Sequence, residues 1–320
     1  MNSSFILNQP GFVPANARAL AGASQAAYNA EPVAQTPGAR LPQPQPVEMP
    51  GFAGVFGRDQ SNSSGYPTLA NNPDTLSCHN ARTGTHATFT TYDDCTVIAF
   101  RGTASLRDWL TDAEFPLRPL PGTPARVHEG FLTAIDSILP DLLAFLAPPQ
   151  APCPAPRASV PILLTGHSLG GALAVLAAWF LQAQGLPVHS VYTFGQPRVG
   201  DRAFASRYAS LLGARTHRVV NQNDLVPRVP GVLLGYRHAG ELALINAVGE
   251  LVLNPSWLGR LVSDGLGLYR AYRRLDDVLI TDHFMAGYVA ALEQLPGCHV
   301  ATLPGGSVAT LKSHSVTTLQ

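Results

Sequence analysis

The sequence carries little charge and almost no lysine. Charged residues make up 13% of its 320 positions, the formal net charge at pH 7 is zero, and Lys312 is the only lysine. Binding to nucleic acid needs a basic surface that neutralises phosphates, and adhesion to anionic lipid commonly uses a polybasic segment. Neither pattern is visible along the sequence, so we exclude nucleic acid as a partner.

Cysteine is also scarce, with four in the chain. None lies in a CxxC pair or beside paired histidines at zinc-finger spacing, which argues against a metal site, and no cofactor is expected. Cys78 and Cys95 flank a predicted hairpin and could form a disulfide, but four reduced thiols are equally ordinary in a chain of this length. The redox compartment therefore stays open. The other two cysteines are Cys153 and Cys298.

Long hydrophobic runs are missing as well. No stretch of about 18 apolar residues is available to span a bilayer, so no transmembrane segment is predicted. The first residues lack the charged region and the long apolar region of a secretory signal. Localisation stays uncertain among the cytoplasm, export by a route without a signal peptide, and removal of a leader.

The most informative stretch of the chain is 161–181. An apolar run at 162–164 predicts a buried strand, GHSLG follows at 166–170, and an Ala/Leu-rich helix begins directly after it. Strand, sharp turn and helix in this order are typical of a nucleophile elbow, in which a strained turn lifts a serine above a sheet. Ser168 is therefore the candidate nucleophile. The alternative is a Gly-rich turn between buried elements whose serine has no chemical role.

Apolar strands alternate with helical patterns along the rest of the chain, which predicts an α/β fold with a mostly parallel central sheet and helices on both faces. We expect a single domain over 1–320, with an N-terminal helix and Pro-rich strap in 1–75 and a tail over 296–320. The predicted strands are 86–91, 96–101, 162–164, 190–195 and 216–221, with edge strands in 232–244, and the predicted helices are 17–28, 132–146, 202–212 and 282–295.

A nucleophilic serine needs a base, and the base needs a carboxylate that fixes its tautomer. On an α/β-hydrolase sheet these groups follow in the order serine, acid, histidine. Asp224 lies just beyond an apolar strand and fits the acid; the rival Asp201 begins a predicted helix, where capping explains it.

Four histidines follow the acid, and His283, at the start of the last helix, is the best placed to act as the base. His238 lies inside an apparent strand and is better explained as a buried structural histidine. The other two, His299 and His314, fall in the tail without a scaffold.

Two further groups complete the predicted site. The backbone N–H of Leu169 and the loop residue Thr103 are the candidate oxyanion donors. A short amphipathic helix at 104–116 presents Leu106, Trp109 and Leu110 on one face and predicts a movable lid over an apolar cleft. The alternative is a fixed surface helix whose tryptophan belongs to the core.

Several motifs in order resemble the class 3 lipases of the fungal Rhizomucor and Thermomyces type, an α/β-hydrolase family that includes some feruloyl esterases. They are AAY at 26–28, FRGT at 100–103, VHEGF at 127–131, GHSLGG at 166–171, FGQPRVG at 194–200 and NDLVPR at 223–228. The resemblance matches Ser168, Asp224 and His283 to the triad, Thr103 and Leu169 to the oxyanion hole, and 104–115 to the lid. Arg101, Gln196 and Arg198 match positions that look structural, and we take Tyr28 and His167 as candidate substrate-binding residues.

These observations predict a serine carboxylic-ester hydrolase that works through an acyl-enzyme, with a triacylglycerol lipase as the favoured interpretation. An esterase, a feruloyl esterase or a phospholipase on the same triad stays open, and so does a non-catalytic lipid-binding protein. The expected partner is an ester or lipid substrate, with a lipid–water interface as one place to meet it, and the expected state is a monomer. Acyl length and positional preference are not encoded in these motifs.

Overall fold

The computed structural model describes residues 5–30, 68–69, 75–103, 115–146, 160–222, 224–246, 248–255 and 283–295. Several expectations therefore lie outside the described residues. They are the lid helix with Leu106, Trp109 and Leu110, most of the Pro-rich strap, the tail with His299 and His314, and the cysteines Cys153 and Cys298.

Thirteen described strands form two sheets. The strands are β1 (Thr68–Leu69), β2 (Thr75–Asn80), β3 (Thr85–Thr91), β4 (Thr96–Phe100), β5 (Leu117–Pro119), β6 (Arg126–His128), β7 (Ile162–His167), β8 (Val188–Phe194), β9 (Gly200–Asp201), β10 (Thr216–Asn221), β11 (Tyr236–Arg237), β12 (Glu241–Ile245) and β13 (Leu251–Leu253). The large sheet has the order β1-β2-β3-β4-β7-β8-β10-β12-β13, and the small antiparallel sheet has the order β11-β9-β6-β5.

The centre of the large sheet, from β4 to β12, is parallel, as the alternation of strands and helices predicts. Its register aligns the strand ends, since Phe100 lies opposite Gly166, His167 opposite Phe194, and Phe194 opposite Val219. The loops that follow β4, β7, β8 and β10 therefore emerge side by side. This edge of the sheet is where α/β folds place their sites.

Six described helices cover the sheet. They are α1 (Pro14–Asn29), α2 (Glu129–Asp136), α3 (Leu139–Leu146), α4 (Leu169–Ala183), α5 (Arg202–Leu212) and α6 (Met285–Glu293). Apolar residues of α1 and α6 pack on one face of the sheet, and those of α2, α3, α4 and α5 pack on the other. Both faces of the parallel strands are thereby removed from water, which explains why β4 and β7 are buried at every position.

Two predicted elements differ from the structure. The single helix expected at 132–146 is two helices, because Pro140 in the first turn of α3 lacks an N–H and its ring opposes continuation from α2. The strands expected at an edge in 232–244 include β12, which is interior: it pairs with β10 on one side and β13 on the other. Its run of four buried residues fits that central position.

Cys78 and Cys95 are both buried and are not joined to each other, so the disulfide that the sequence allowed does not form. Cys78 belongs to the apolar core on one face of the sheet and Cys95 to the core on the opposite face, which keeps the two thiols apart. None of the described helices combines the length and the apolar character needed to cross a bilayer.

Candidate active site

Ser168 occupies a sharp turn between β7 and α4. Its backbone has φ 56° and ψ −127°, a conformation that non-glycine residues rarely adopt. A Cβ placed on Gly166 would lie 2.2 Å from the carbonyl oxygen of Gly170, and one on Gly170 would lie 2.2 Å from that of Phe100. Only glycine allows the strand and the helix to approach this closely, so the GHSLG pattern forms the predicted elbow.

The loop after β4 packs against this turn. A Cβ on Gly102 would lie 2.7 Å from the carbonyl oxygen of His167 and 3.2 Å from the Cβ of Ser168, so the backbone of this loop lies directly beside the serine. Thr103 follows Gly102, and Leu169 is the first residue of α4. The structure therefore places Leu169 directly after Ser168 and the loop that leads into Thr103 beside it.

Asp224 and His283 form a buried pair. The Nδ1 of His283 lies 2.9 Å from Oδ1 and 2.8 Å from Oδ2 of Asp224. The N–H of Val226 donates to Oδ1 at 2.9 Å, which holds the carboxylate in place. Gly195, at the end of β8, has φ 59°, and a Cβ there would lie 2.6 Å from Oδ2 and 2.8 Å from Cε1 of His283, so the pair fills space that only a glycine leaves open.

The imidazole of His283 has one nitrogen left for chemistry. Its Nε2 is buried and has no hydrogen-bond partner among the described residues. Because Nδ1 faces a carboxylate, it carries the proton in the neutral ring, and Nε2 presents a lone pair. The N–H of Ser168 donates to Phe194 O at 2.9 Å, which ties the serine to the strand that ends at Gly195. A base with an open nitrogen thus lies at the same edge as the elbow.

Tyr288 is a residue that the sequence interpretation missed. Its hydroxyl donates to Oδ2 of Asp224 at 2.6 Å and accepts from the N–H of Asn221 at 3.1 Å. It lies on α6, five residues after His283, so the helix that follows the histidine also supplies a support for the acid. The sequence signal for Tyr288 was weak, because a tyrosine inside an apolar helix is usually explained as a core residue.

His167 and Tyr28 connect the elbow to the oxyanion loop and to the segment that carries His283. The Nε2 of His167 lies 2.6 Å from the carbonyl oxygen of His283, which only accepts, so Nε2 carries the proton. Nδ1 then accepts from the hydroxyl of Tyr28 at 2.8 Å. The Tyr28 oxygen in turn accepts from the backbone N–H of Gly102. One chain of hydrogen bonds therefore joins the oxyanion loop, α1, the elbow and the His283 segment.

Burial keeps this chain neutral. It lowers the pKa of His167 to about 3, and the nearby His283 ring adds to the effect. It raises the pKa of Tyr28 to about 12, against the hydrogen bond from Gly102 and the charge of Arg101, which act in the opposite direction. Both side chains are thus uncharged near neutral pH, and both ring nitrogens of His167 are used inside the protein.

The alternative candidates, Asp201 for the acid and His238 for the base, lie elsewhere in the fold. Asp201 caps α5, because its side chain accepts from the N–H of Phe204 at 2.8 Å, and it also lies 3.5 Å from Nε of Arg126. His238 lies in the connection between β11 and β12 and not, as the sequence had predicted, inside a strand. Within the described residues there is no cluster of three or more metal-ligating side chains.

The sequence is similar to those of known lipases. Residues 97–234 match the family described as lipase (class 3). A lipase from Rhizomucor miehei is 40% identical over 149 residues, which cover 45% of this chain and 40% of that protein. A secreted mono- and diacylglycerol lipase of Fusarium solani is 36% identical and covers 44% and 41%. The chain thus spans about two fifths of the length of these curated relatives.

Solved lipase structures superpose on this fold. A triacylglycerol lipase whose catalytic centre is formed by a serine protease triad superposes with a TM-score of 0.51 at 29% identity, covering 65% of this chain and 77% of that one. A fungal lipase–inhibitor complex that serves as a model for interfacial activation gives a TM-score of 0.50 at 29% identity, covering 66% and 79%. The fold is therefore that of an α/β-hydrolase, and residues 97–234 of this chain are similar to the class 3 lipases.

Proposed function

We propose that this protein is a serine carboxylic-ester hydrolase of the lipase type, with triacylglycerol as its favoured substrate class. The observation that carries the proposal is the buried Asp224–His283 pair, whose open Nε2 lies at the sheet edge that also presents Ser168. The lipases and glyceride lipases among its relatives support the substrate class.

The reaction begins at Ser168. His283 Nε2 accepts the hydroxyl proton while Oγ attacks the ester carbonyl carbon, and Asp224 stabilises the imidazolium that forms. The backbone N–H of Leu169 and the donors of Thr103 stabilise the oxyanion. His283 then protonates the leaving alcohol, and an acyl-enzyme on Ser168 remains. A water activated by the same nitrogen releases the fatty acid and restores the serine.

Two neighbours position these groups without touching the ester. Tyr288 holds the carboxylate of Asp224, and His167 holds the carbonyl of His283 through its Nε2–H. We therefore assign His167 a positioning role rather than the substrate contact that the sequence suggested. Tyr28 supports His167 and the Gly102 backbone in the same way.

The segment 104–116 completes the proposal as a lid that covers the cleft in water and opens at a lipid surface. All groups assigned to the reaction come from one chain, so we expect a monomer to be active, which size-exclusion chromatography of active fractions checks.

A phospholipase is the second candidate, because a chloroplastic phospholipase A(1) of Arabidopsis thaliana is 31% identical over 188 residues, which cover 54% of this chain and 41% of that protein. A substrate panel separates the two activities. It compares release of fatty acid from emulsified triacylglycerol and from dispersed phosphatidylcholine.

The test compares the wild-type protein with Ser168→Ala and Asp224→Asn on a short soluble p-nitrophenyl ester and on an emulsified long-chain triacylglycerol. We expect kcat to fall by about 10⁴-fold or more in both variants, because triad members act as a unit. Ser210→Ala, at an exposed serine on α5, is the matched control and should retain full activity. Turnover that survives Ser168→Ala would contradict the mechanism.

A further inference from the structure

The segment after the acid exposes three consecutive apolar side chains. Residues Val232–Leu234 form a short 3₁₀ turn, and the side chains of Val232, Leu233 and Leu234 are 48%, 99% and 56% exposed. Single exposed apolar residues are ordinary on a protein surface, but a continuous group usually marks an interaction site. We refer to Val232–Leu234 as the apolar turn.

Further apolar exposure lies beside the Asp224–His283 pair. Leu225 follows the acid directly and is 36% exposed, and Phe284 follows the base directly and is 55% exposed. Because Asp224 and His283 are in contact, the segments that carry these two side chains meet at the site. Exposed apolar side chains therefore follow both members of the acid–base pair, in addition to those of the apolar turn.

Arginines surround the apolar turn. Arg237 Nη1 donates to the carbonyl oxygen of Val232 at 3.0 Å, so its guanidinium lies against the turn. Arg198 Nη1 donates to the carbonyl oxygen of Pro230 at 2.8 Å and also to that of Arg228, just before the turn. The acceptors of these bonds are neutral carbonyl oxygens, so the bonds do not neutralise the positive charges of Arg198 and Arg237.

The charges of these arginines act on one another. Burial lowers the pKa of Arg198, and the positive charges of Arg237 and Arg228 lower it further. Asp201 lies on the strand that pairs with β11, and its carboxylate is bonded to Arg126 and the N–H of Phe204. In the described residues neither Arg198 nor Arg237 forms a salt bridge.

We propose that the apolar turn, with Arg198 and Arg237, is a docking surface for an anionic lipid surface. The apolar side chains enter the boundary between headgroups and acyl chains, and the guanidinium groups bind lipid phosphates. Each arginine near an anionic membrane contributes about fivefold in affinity. Docking here would hold the mouth of the site against the interface that carries its substrate.

This inference rests on the proposed function only for that last consequence, because binding itself can be measured without turnover. It also goes beyond the sequence pattern. No polybasic segment exists in the chain, and the fold brings together two arginines, Arg198 and Arg237, that are 39 residues apart in sequence.

Cosedimentation of the full chain with vesicles tests the proposal, using phosphatidylcholine alone and phosphatidylcholine with about 30% phosphatidylglycerol. We expect the wild-type protein to bind the anionic vesicles at least about tenfold more tightly, with affinity that falls as salt rises. Leu233→Ser should weaken binding by about tenfold, since it removes the most exposed apolar side chain. Arg237→Gln, which keeps a donor for Val232, should weaken it by about fivefold.

The matched controls are Leu211→Ser and Arg207→Gln on α5. Leu211 is exposed but lies just before the start of β10, at the opposite end of the strand from Asp224, and Arg207 is an exposed arginine outside the cluster. Both variants should bind vesicles like the wild type. Equal binding to the two vesicle types, or a Leu233→Ser variant that binds like the wild type, would overturn the proposal.

Hydrolysis of the soluble ester separates the two proposals. Leu233→Ser should hydrolyse a dissolved short ester at the wild-type rate, because this turn does not touch the reacting groups. If no Ser168-dependent hydrolysis is found but anionic vesicles are still bound with the expected pattern, the proposed function fails and the docking surface stands.

Discussion

The elbow and the acid–base pair are held in place by different means. The elbow depends on close backbone contacts between residues 166 and 170 and the end of β4. Glycines at these positions leave no side chain between the backbones. The Asp224–His283 pair depends on side-chain hydrogen bonds between segments about 60 residues apart in sequence. The first arrangement is fixed by sterics and has little room to adjust, whereas the second can lose one bond and keep its geometry in part.

The largest effect is therefore expected at the elbow. In Gly166→Ala the new Cβ would lie 2.2 Å from a backbone oxygen that cannot move without shifting α4. We expect a loss of about 3 kcal/mol in the free energy of unfolding and loss of most esterase activity. Urea unfolding and turnover of a soluble ester measure the two effects.

Gly22→Ala is the matched control, because nothing lies within 4 Å of a Cβ at this position of α1. It should stabilise the protein by about 0.5–1 kcal/mol, since alanine favours helix over glycine. If Gly166→Ala unfolds at the same urea concentration as the wild type, the steric account of the elbow is wrong.

A smaller effect is expected in the acid–base pair. Tyr288→Phe removes the hydroxyl that donates to Asp224 and leaves the N–H of Asn221 without that acceptor. We expect kcat to fall by about tenfold with KM unchanged, because a hydrogen bond to a charged group contributes about 1.5–3 kcal/mol and the carboxylate retains its other partners.

Tyr208→Phe controls for stability, since its buried hydroxyl bonds to Thr216 at 3.0 Å, remote from the pair. It should lower the free energy of unfolding by a similar amount and leave kcat unchanged. A Tyr288→Phe variant that loses stability but keeps its full kcat would reduce Tyr288 to an ordinary core residue.

The same contrast explains how far the sequence could be interpreted. The elbow, the parallel sheet and the helix bounds of α1 and α5 follow from local patterns of glycine, apolar residues and caps, and these were predicted closely. The break between α2 and α3 also has a local signal, Pro140. It was missed because the apolar periodicity of 132–146 predicts one continuous helix.

Contacts that depend on distant segments could not be predicted in this way. The hydrogen bonds from His167 to Tyr28 and to the His283 carbonyl join residues 139 and 116 positions apart. Nothing in the local sequence of His167 distinguishes a positioning residue from a substrate contact. The interior position of β12 likewise depends on its pairing with β10 and not on its own composition.

The smallest expected effect compares two buried histidines near the site. His167 has a partner on each ring nitrogen, whereas neither ring nitrogen of His86, opposite Arg101 at the end of β4, has a hydrogen bond within the described residues. Burial lowers the pKa of His86 to about 4, and the positive charges of Arg101 and His79 contribute in the same direction.

The unfolded chain binds a proton at this position below about pH 6.5, but the folded chain does so only near pH 4. The free energy of unfolding therefore falls as the pH decreases between these values. His86→Phe places another aromatic ring at the position that packs edge-on against His79 at 5.9 Å. This ring cannot bind a proton. We expect the variant to lose about 1 kcal/mol less than the wild type between pH 6.5 and 5, measured by urea unfolding at each pH. Parallel losses in the two proteins would show that His86 accepts a proton in the folded state as readily as in the unfolded chain.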